Sequence, residues 1–170
     1  MKKLLLAAIA VLVFVNVNAQ ETKFGLTAGY LGVNAKVKSG GNSATASDSG
    51  FYIGGVADIA TSNELHIQPE LLYANVNDSS ALILPIMLKY YVSENFNLQA
   101  GPQVLFSLEK SVQDVSSVEI GLGAGLGYDI NDNFFLEARY SFQLNNSYTG
   151  NLDITARENI LTIGVGYRFN

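Results

Sequence analysis

From Phe134 the chain reads FFLEARYSFQLN, and the side chains alternate in character almost residue by residue. Phe134, Leu136, Ala138, Tyr140, Phe142 and Leu144 occupy one set of alternate positions, while Phe135, Glu137, Arg139, Ser141, Gln143 and Asn145 occupy the other. A period of two marks a strand whose two faces meet different surroundings. The pattern constrains the fold because it recurs. Similar runs cover roughly 23–37, 50–60, 65–76, 81–92, 96–108, 117–129, 134–146 and 158–170, and no convincing helical period interrupts them after residue 20. In the last run Leu161, Ile163, Val165, Tyr167 and Phe169 alternate with Thr162, Gly164, Gly166, Arg168 and Asn170.

The connections between these runs are of two kinds. Thr61 to Glu64, Ser93 to Asn95 and Asn131 to Asn133 are tight and rich in Asn, Ser and Asp, the residues that close turns with their own side chains. Lys38 to Ser49, Asn77 to Ser80, Glu109 to Ser116 and Ser147 to Arg157 are more polar and, but for the second, longer. Every second connection is tight, so the turns and both termini fall at one end of the sheet and the loops at the other. This layout predicts an all-β protein, an eight-stranded antiparallel up-and-down transmembrane β-barrel. Closure follows physically, because hydrocarbon leaves no partner for a free strand edge. Tyr30, Tyr73, Tyr90, Tyr128, Tyr140 and Tyr167 lie on the apolar faces, several near strand ends, where interfacial girdles sit.

A soluble eight-stranded barrel of the lipocalin kind has the same alternation with the faces reversed. Alternation alone does not separate the two. Long, nearly unbroken apolar faces, polar faces poor in lysine and an aromatic-rich final strand favour the membrane.

The N-terminus gives an address. Lys2 and Lys3 precede an apolar run from Leu4 to Val15, and Val17-Asn18-Ala19 resembles a cleavage site. The run is shorter than the ~20 residues of a membrane helix, so residues 1–19 read as a secretory signal peptide and 20–170 as the barrel domain. Loss of Lys2 and Lys3 from ten basic residues leaves eight against fifteen acidic ones, which gives no electrostatic footprint for nucleic acid. With no cysteine, disulfides and thiol chemistry are excluded. Only 15% of residues are charged, below the ~25% of ordinary soluble domains.

Three stretches occur in order: Gln68-Pro69-Glu70-Leu71-Leu72-Tyr73, Leu84-Pro85-Ile86-Met87-Leu88-Lys89-Tyr90-Tyr91, and Gln99-Ala100-Gly101-Pro102-Gln103. Together they resemble the outer-membrane β-barrel domain family abundant in Bacteroidetes-type bacteria, which includes barrels related to the secretion protein PorT. The resemblance covers most of the chain after residue 20. It implies an eight-stranded outer-membrane barrel and no particular reaction, and no functional residue is carried over from it.

With apolar faces outward, the polar faces point into a narrow lumen. Lys23, Asp58, Glu70, Lys89, Asp129, Glu137, Arg139 and Arg168 fall at similar depth near the turn end, four acidic and four basic. Charges in such a space must pair and hydrogen-bond, so a balanced polar plug is expected rather than an ion path. His66 is the one histidine, and Gln68 and Glu70 share its face. It has no His or Cys partner for a metal and no neighbouring serine on its strand, so it reads as a lumen residue. Asp129 to Asn133 begins like a calcium loop, but Phe134 and Tyr140 stand where Gly and Glu are needed, so it reads as a turn. In GLGAGLGY, Gly121, Gly123, Gly125 and Gly127 recur every two residues. This is a strand period and not the G-x-G-x-x-G of a dinucleotide loop. These glycines, with Gly164 and Gly166, are expected to line the lumen and make room for Arg139 and Arg168.

The expectation is thus a monomeric, non-enzymatic barrel in outer-membrane lipid. No catalytic, cofactor-binding or metal site is assigned, and a general diffusion pore is not expected because water-filled channels need ~16 strands. An envelope-structural role, or contact with a surface partner through loops 38–49 and 147–157, fits this picture. The rivals are a lipid-modifying enzyme barrel using His66 and a soluble lipocalin-like ligand carrier.

Overall fold

Eight strands follow one another: β1 (Glu21–Ser39), β2 (Asn42–Ala60), β3 (Leu65–Val76), β4 (Ser79–Tyr91), β5 (Phe96–Ser107), β6 (Val118–Asp129), β7 (Phe134–Gln143) and β8 (Ile154–Arg168). This computed structural model describes residues 21–110 and 113–169; the signal peptide read at residues 1–19 lies outside them. Each strand pairs antiparallel with its sequence neighbours, and β1 pairs with β8, so the sheet closes.

The register fixes the width. One row of partners runs Glu21, Ala60, His66, Lys89, Gln99, Gly125, Arg139 and Thr162, and meets β1 again at Leu31. From Glu21 to Leu31 the row has climbed ten residues, the stagger of a barrel with strongly tilted strands. Eight strands so arranged enclose a space that side chains fill.

The wall is apolar outward and polar inward over its turn-side half. Leu26, Phe51, Leu88, Leu122, Phe142 and Ile163 are half exposed, while Asp58, Gln68, Glu70, Lys89, Asn97, Gln99, Glu137 and Arg139 are buried. The six tyrosines expected on apolar faces stand on the outer wall. Tyr167 packs edge-on against Phe134 and Phe169 near the turn end, with ring centroids 4.9 and 5.7 Å away. A continuous apolar belt of this kind needs lipid. It overturns the soluble carrier, whose outer face would be polar.

The three turns share one design. The amides of Thr61, Val92 and Ile130 donate to the carbonyls four residues on, Leu65, Phe96 and Phe134, at 2.9, 2.9 and 2.8 Å. The next side chain then caps the turn. Ser62 Oγ, Ser93 Oγ and Asn131 Oδ1 accept from the amides of Leu65, Phe96 and Phe134 at 3.0, 3.2 and 2.8 Å. Three dissimilar tetrapeptides thereby reach the same geometry through one short oxygen-bearing side chain.

The loop end departs from expectation. The stretch 38–49 is no loop: β1 and β2 continue to Ser39 and Asn42 around a turn at Gly40-Gly41, with φ of 54° and 86°. Two successive residues with positive φ match the twist of a hairpin, which favours Gly-Gly. Strand β8 follows β1 as far as Ser39 and Ile154, making a three-stranded ribbon. Its outer face carries Asn34, Lys36, Lys38, Ser43, Thr45 and Arg157, so it stands clear of the apolar belt. Asn77-Asp78 likewise makes a two-residue turn, with Asn77 at φ 52°. The stretch 147–153 folds onto its neighbour: Ser116 N donates to Ser147 O at 2.8 Å, and Thr149 N to Asp114 O at 2.9 Å.

Replacing Gly40 and Gly41 together by alanine puts two Cβ atoms in the left-handed region, at about 1–2 kcal/mol each. Hydrogen exchange should then speed up at Val37 and Ala44 but not at Gly125 or Arg139. Unchanged exchange in the ribbon would contradict this account of the turn.

Candidate functional site

Seven of the eight charges expected in the lumen come together at the turn-side half, in two layers. Nearer the turns, Asp58 on β2 is the hub. Its Oδ2 accepts from Lys89 Nζ at 3.1 Å, and its Oδ1 lies 2.6 Å from His66 Nδ1. Arg168 Nε is 3.0 Å from Asp58 Oδ2 without a hydrogen bond, so that contact is ionic, while its Nη2 donates to Asp129 Oδ1 at 2.9 Å. Tyr91 donates its hydroxyl to Asp129 Oδ2 at 2.8 Å. The Arg168 guanidinium lies 4.4 Å from the centre of the Phe135 ring.

The deeper layer centres on Arg139. It grips Glu70 with both terminal nitrogens, meets Glu137 through Nη2, and donates Nε to Gln99 Oε1 at 2.9 Å. Amides stitch the layer. Gln68 Nε2 donates to Glu70 and Glu137 at 2.6 and 2.9 Å, and Gln99 Nε2 to Glu137 and Asn97 at 2.9 Å each. Lys89 joins the layers, donating to Gln68 Oε1 at 2.8 Å while it holds Asp58. Each of these charges thus has an opposite charge, and all but Arg168, whose Nε makes no hydrogen bond, have further polar partners, the condition under which a low-dielectric site tolerates ions.

Lys23 is the exception. It is the register partner of Asp58, yet its ammonium turns to Glu21 at 3.5 Å and stays 31% exposed. The Asp58 carboxylate is already engaged by Lys89 and Arg168 from inside the barrel, so Lys23 remains at the mouth. The set is four acids, of which Asp129 keeps 15% exposure, against three cations, and His66 takes the place expected of the fourth base. The amides that complete the network had one signal in the sequence. Gln68 lies two residues before Glu70, and Asn97 two before Gln99, each pair on one strand face.

The glycines border this network. A Cβ on Gly127 would stand 2.5 Å from Asn97 Oδ1, and one on Gly125 2.6 Å from Arg139 Cγ. Gly166 makes room for a different residue than expected: its absent side chain is replaced by the Phe135 ring, on which Arg168 stacks. Gly164 likewise lies under the Tyr52 hydroxyl.

Part of the loop-side half of the lumen reverses the expected polarity. Leu31, Tyr52, Leu72, Ala74, Ile83 and Ile160 form a buried apolar cluster inside the barrel, with Val33, Val76 and Leu105 packed against it. Above it opens a cavity of about 460 Å³. A smaller hollow of about 220 Å³ lies at the turn end around His66, Tyr91 and Arg168.

The sequence matches the model of the outer membrane protein beta-barrel domain family over residues 4–169. The chain belongs to that family. Among curated proteins, none matches it in sequence. Solved structures resemble it in fold. Ail, the attachment invasion locus protein of Yersinia pestis, has 18% identity and a TM-score of 0.51, covering 88% of this chain and 100% of that one. Neisserial surface protein A has 18% identity and a TM-score of 0.52 over the same shares. A transmembrane β-barrel made by design has 15% identity and a TM-score of 0.51, covering 89% and 99%. The designed barrel shares the architecture, so architecture by itself assigns no role. Family and fold together place the protein in the outer membrane, and in such barrels the short turns face the periplasm.

Proposed function

We propose that the protein is a closed, non-enzymatic envelope barrel that presents a rigid ribbon to the exterior. The observation that carries this reading is the lumen network of Asp58, Glu70, Lys89, Asp129, Glu137, Arg139 and Arg168. It sets paired charges across the periplasmic half of the lumen, a plug that holds the strands in register. The ribbon of β1, β2 and β8 supports the surface role, because pairing on both sides of β1 keeps it rigid beyond the lipid. Partner contact through 38–49 and 147–157 then uses a preformed edge and a folded loop pair. We also place the chain among the PorT-related small barrels of Bacteroidetes-type bacteria. The three stretches that carry that resemblance lie on adjacent strands and supply Gln68, Glu70, Lys89 and Gln99 to the plug.

The enzyme reading needs a nucleophile beside His66. Its Nδ1 meets Asp58, as a catalytic base's would, but no serine or threonine hydroxyl bonds to it among the described residues, and its ring packs on Tyr91 with centroids 4.8 Å apart, inside the lumen and away from lipid. The test is threefold. In planar bilayers the refolded protein should show no steady conductance. A tag at Gly40-Gly41 should be accessible on intact cells. Incubation with phospholipid should release no acyl chain. A steady wild-type current, a tag reached only after permeabilisation, or acyl release abolished by His66→Ala would each overturn a part of the reading.

A further inference from the structure

We infer that the outer half of the lumen is a binding site for a small amphipathic cation, an apolar body carrying an amine or ammonium group. The cavity of about 460 Å³ falls within the ~300–1,000 Å³ of small-molecule sites. Its lower wall is apolar, formed by Leu31, Ile83, Leu105 and Ile160 with smaller residues between them. A lumen mouth that only held water would gain nothing from such a surface, whereas the polar lining of the other half shows that this barrel accommodates polar side chains in its interior.

Charge selects the head group. Four charged residues line the cavity, and all are acidic: Asp48 and Glu109 at the rim, Glu119 and Glu158 in the wall. Glu119 and Glu158 also border one small recess together, beside Gln103 and Gln143. Glu119 Oε1 accepts from Ser147 Oγ at 3.1 Å, and no ion pair to Glu119 or Glu158 exists among the described residues. Two neighbouring carboxylates with no cation between them repel; a bound ammonium relieves them, while a bound carboxylate would add to the repulsion. The floor of the cavity closes the route onward, since Leu31, Tyr52, Leu72 and Ile83 pack together above the ion network. The ligand therefore enters from outside and stays, so the site is a receptor and not a passage.

The test uses three probes of one shape, 1-aminoadamantane, 1-adamantanol and adamantane-1-carboxylate. Each is titrated onto the protein in phosphatidylcholine nanodiscs and followed by methyl NMR. The amine should shift the methyls of Leu31, Ile83, Leu105 and Ile160, and leave the lipid-facing Leu26, Ile53 and Ile163 unmoved. It should bind at least tenfold tighter than the alcohol, and the carboxylate weaker still. Glu119→Gln with Glu158→Gln should bring the amine down to the alcohol and leave the alcohol unchanged. Ala81→Leu, which narrows the cavity, should weaken all three; Ala74→Leu serves if that variant fails to fold. Equal binding of amine and carboxylate, a preference that survives the double variant, shifts confined to outer methyls, or no shift with any probe overturns the proposal.

Discussion

Replacing Arg139 by alanine should lower the stability of the barrel by about 3–5 kcal/mol in reversible urea unfolding from lipid vesicles, the range for removing one partner of a buried ion pair. Arg139 is 7% exposed and makes the charged contacts to Glu70 and Glu137 described above. Without it Glu70 keeps only the Gln68 amide, and Glu137 keeps two amides and Lys89 at 3.7 Å. Two carboxylates then share a narrow lumen with one more distant cation. The damage lies in the stranded charges and not in the loss of the pair itself. Arg139→Met combined with Glu70→Gln and Glu137→Gln should therefore regain all but about 1 kcal/mol, since a neutral set of similar volume is often as stable as the ions. Lys23→Ala, at the exposed mouth, should cost less than about 1 kcal/mol. A single variant as stable as wild type, or a triple variant no better than the single, would show that Arg139 is not the keystone of the network.

The sequence carried the wall of this barrel more fully than its contents. Alternation in FFLEARYSFQLN reports a real difference between lipid and lumen, so the faces of β7 and β8 could be read directly. It reports nothing where both sides meet similar surroundings. Along β1 the stretch Ala28 to Val33 has apolar residues on both faces, because the lumen there is itself apolar. The pattern there therefore gives no sign that Leu31 lines the floor of a cavity. The hairpin around Gly40-Gly41 failed for the opposite reason. Both of its faces are solvated, so Ser, Thr, Asn and Ala follow one another without a period, although the backbone pairs throughout. Depth was legible for the charges, but pairing was not. Lys23 stands opposite Asp58 in register and still loses the contest for its carboxylate, which depends on side-chain reach across the barrel. The carrier reading was wrong about the outer wall, yet the loop-side half of the lumen has the apolar lining of a ligand cavity.

The glycines give the second large effect, and they divide by what an added methyl would meet. At Gly166 the nearest obstacle is the Phe135 ring, three of whose carbons crowd the Cβ position. At Gly125 it is the Ala138 carbonyl oxygen and Arg139 Cα, as well as Arg139 Cγ at 2.6 Å. Gly166→Ala should cost about 1–3 kcal/mol, as overpacking does, and the cost should depend on Phe135. With Phe135→Leu in the background the added methyl finds space. The pair should then be coupled by more than about 1 kcal/mol in a double-mutant cycle. Phe135→Leu by itself loses ring packing and the face on which Arg168 rests. Gly125→Ala should be at least as costly and should show no such rescue with Arg139→Met, because backbone blocks the methyl there. Additive costs at 166 and 135 would mean that the ring does not fill the place of the missing side chain. Rescue at 125 would mean that the wall yields where close strand contact predicts it cannot.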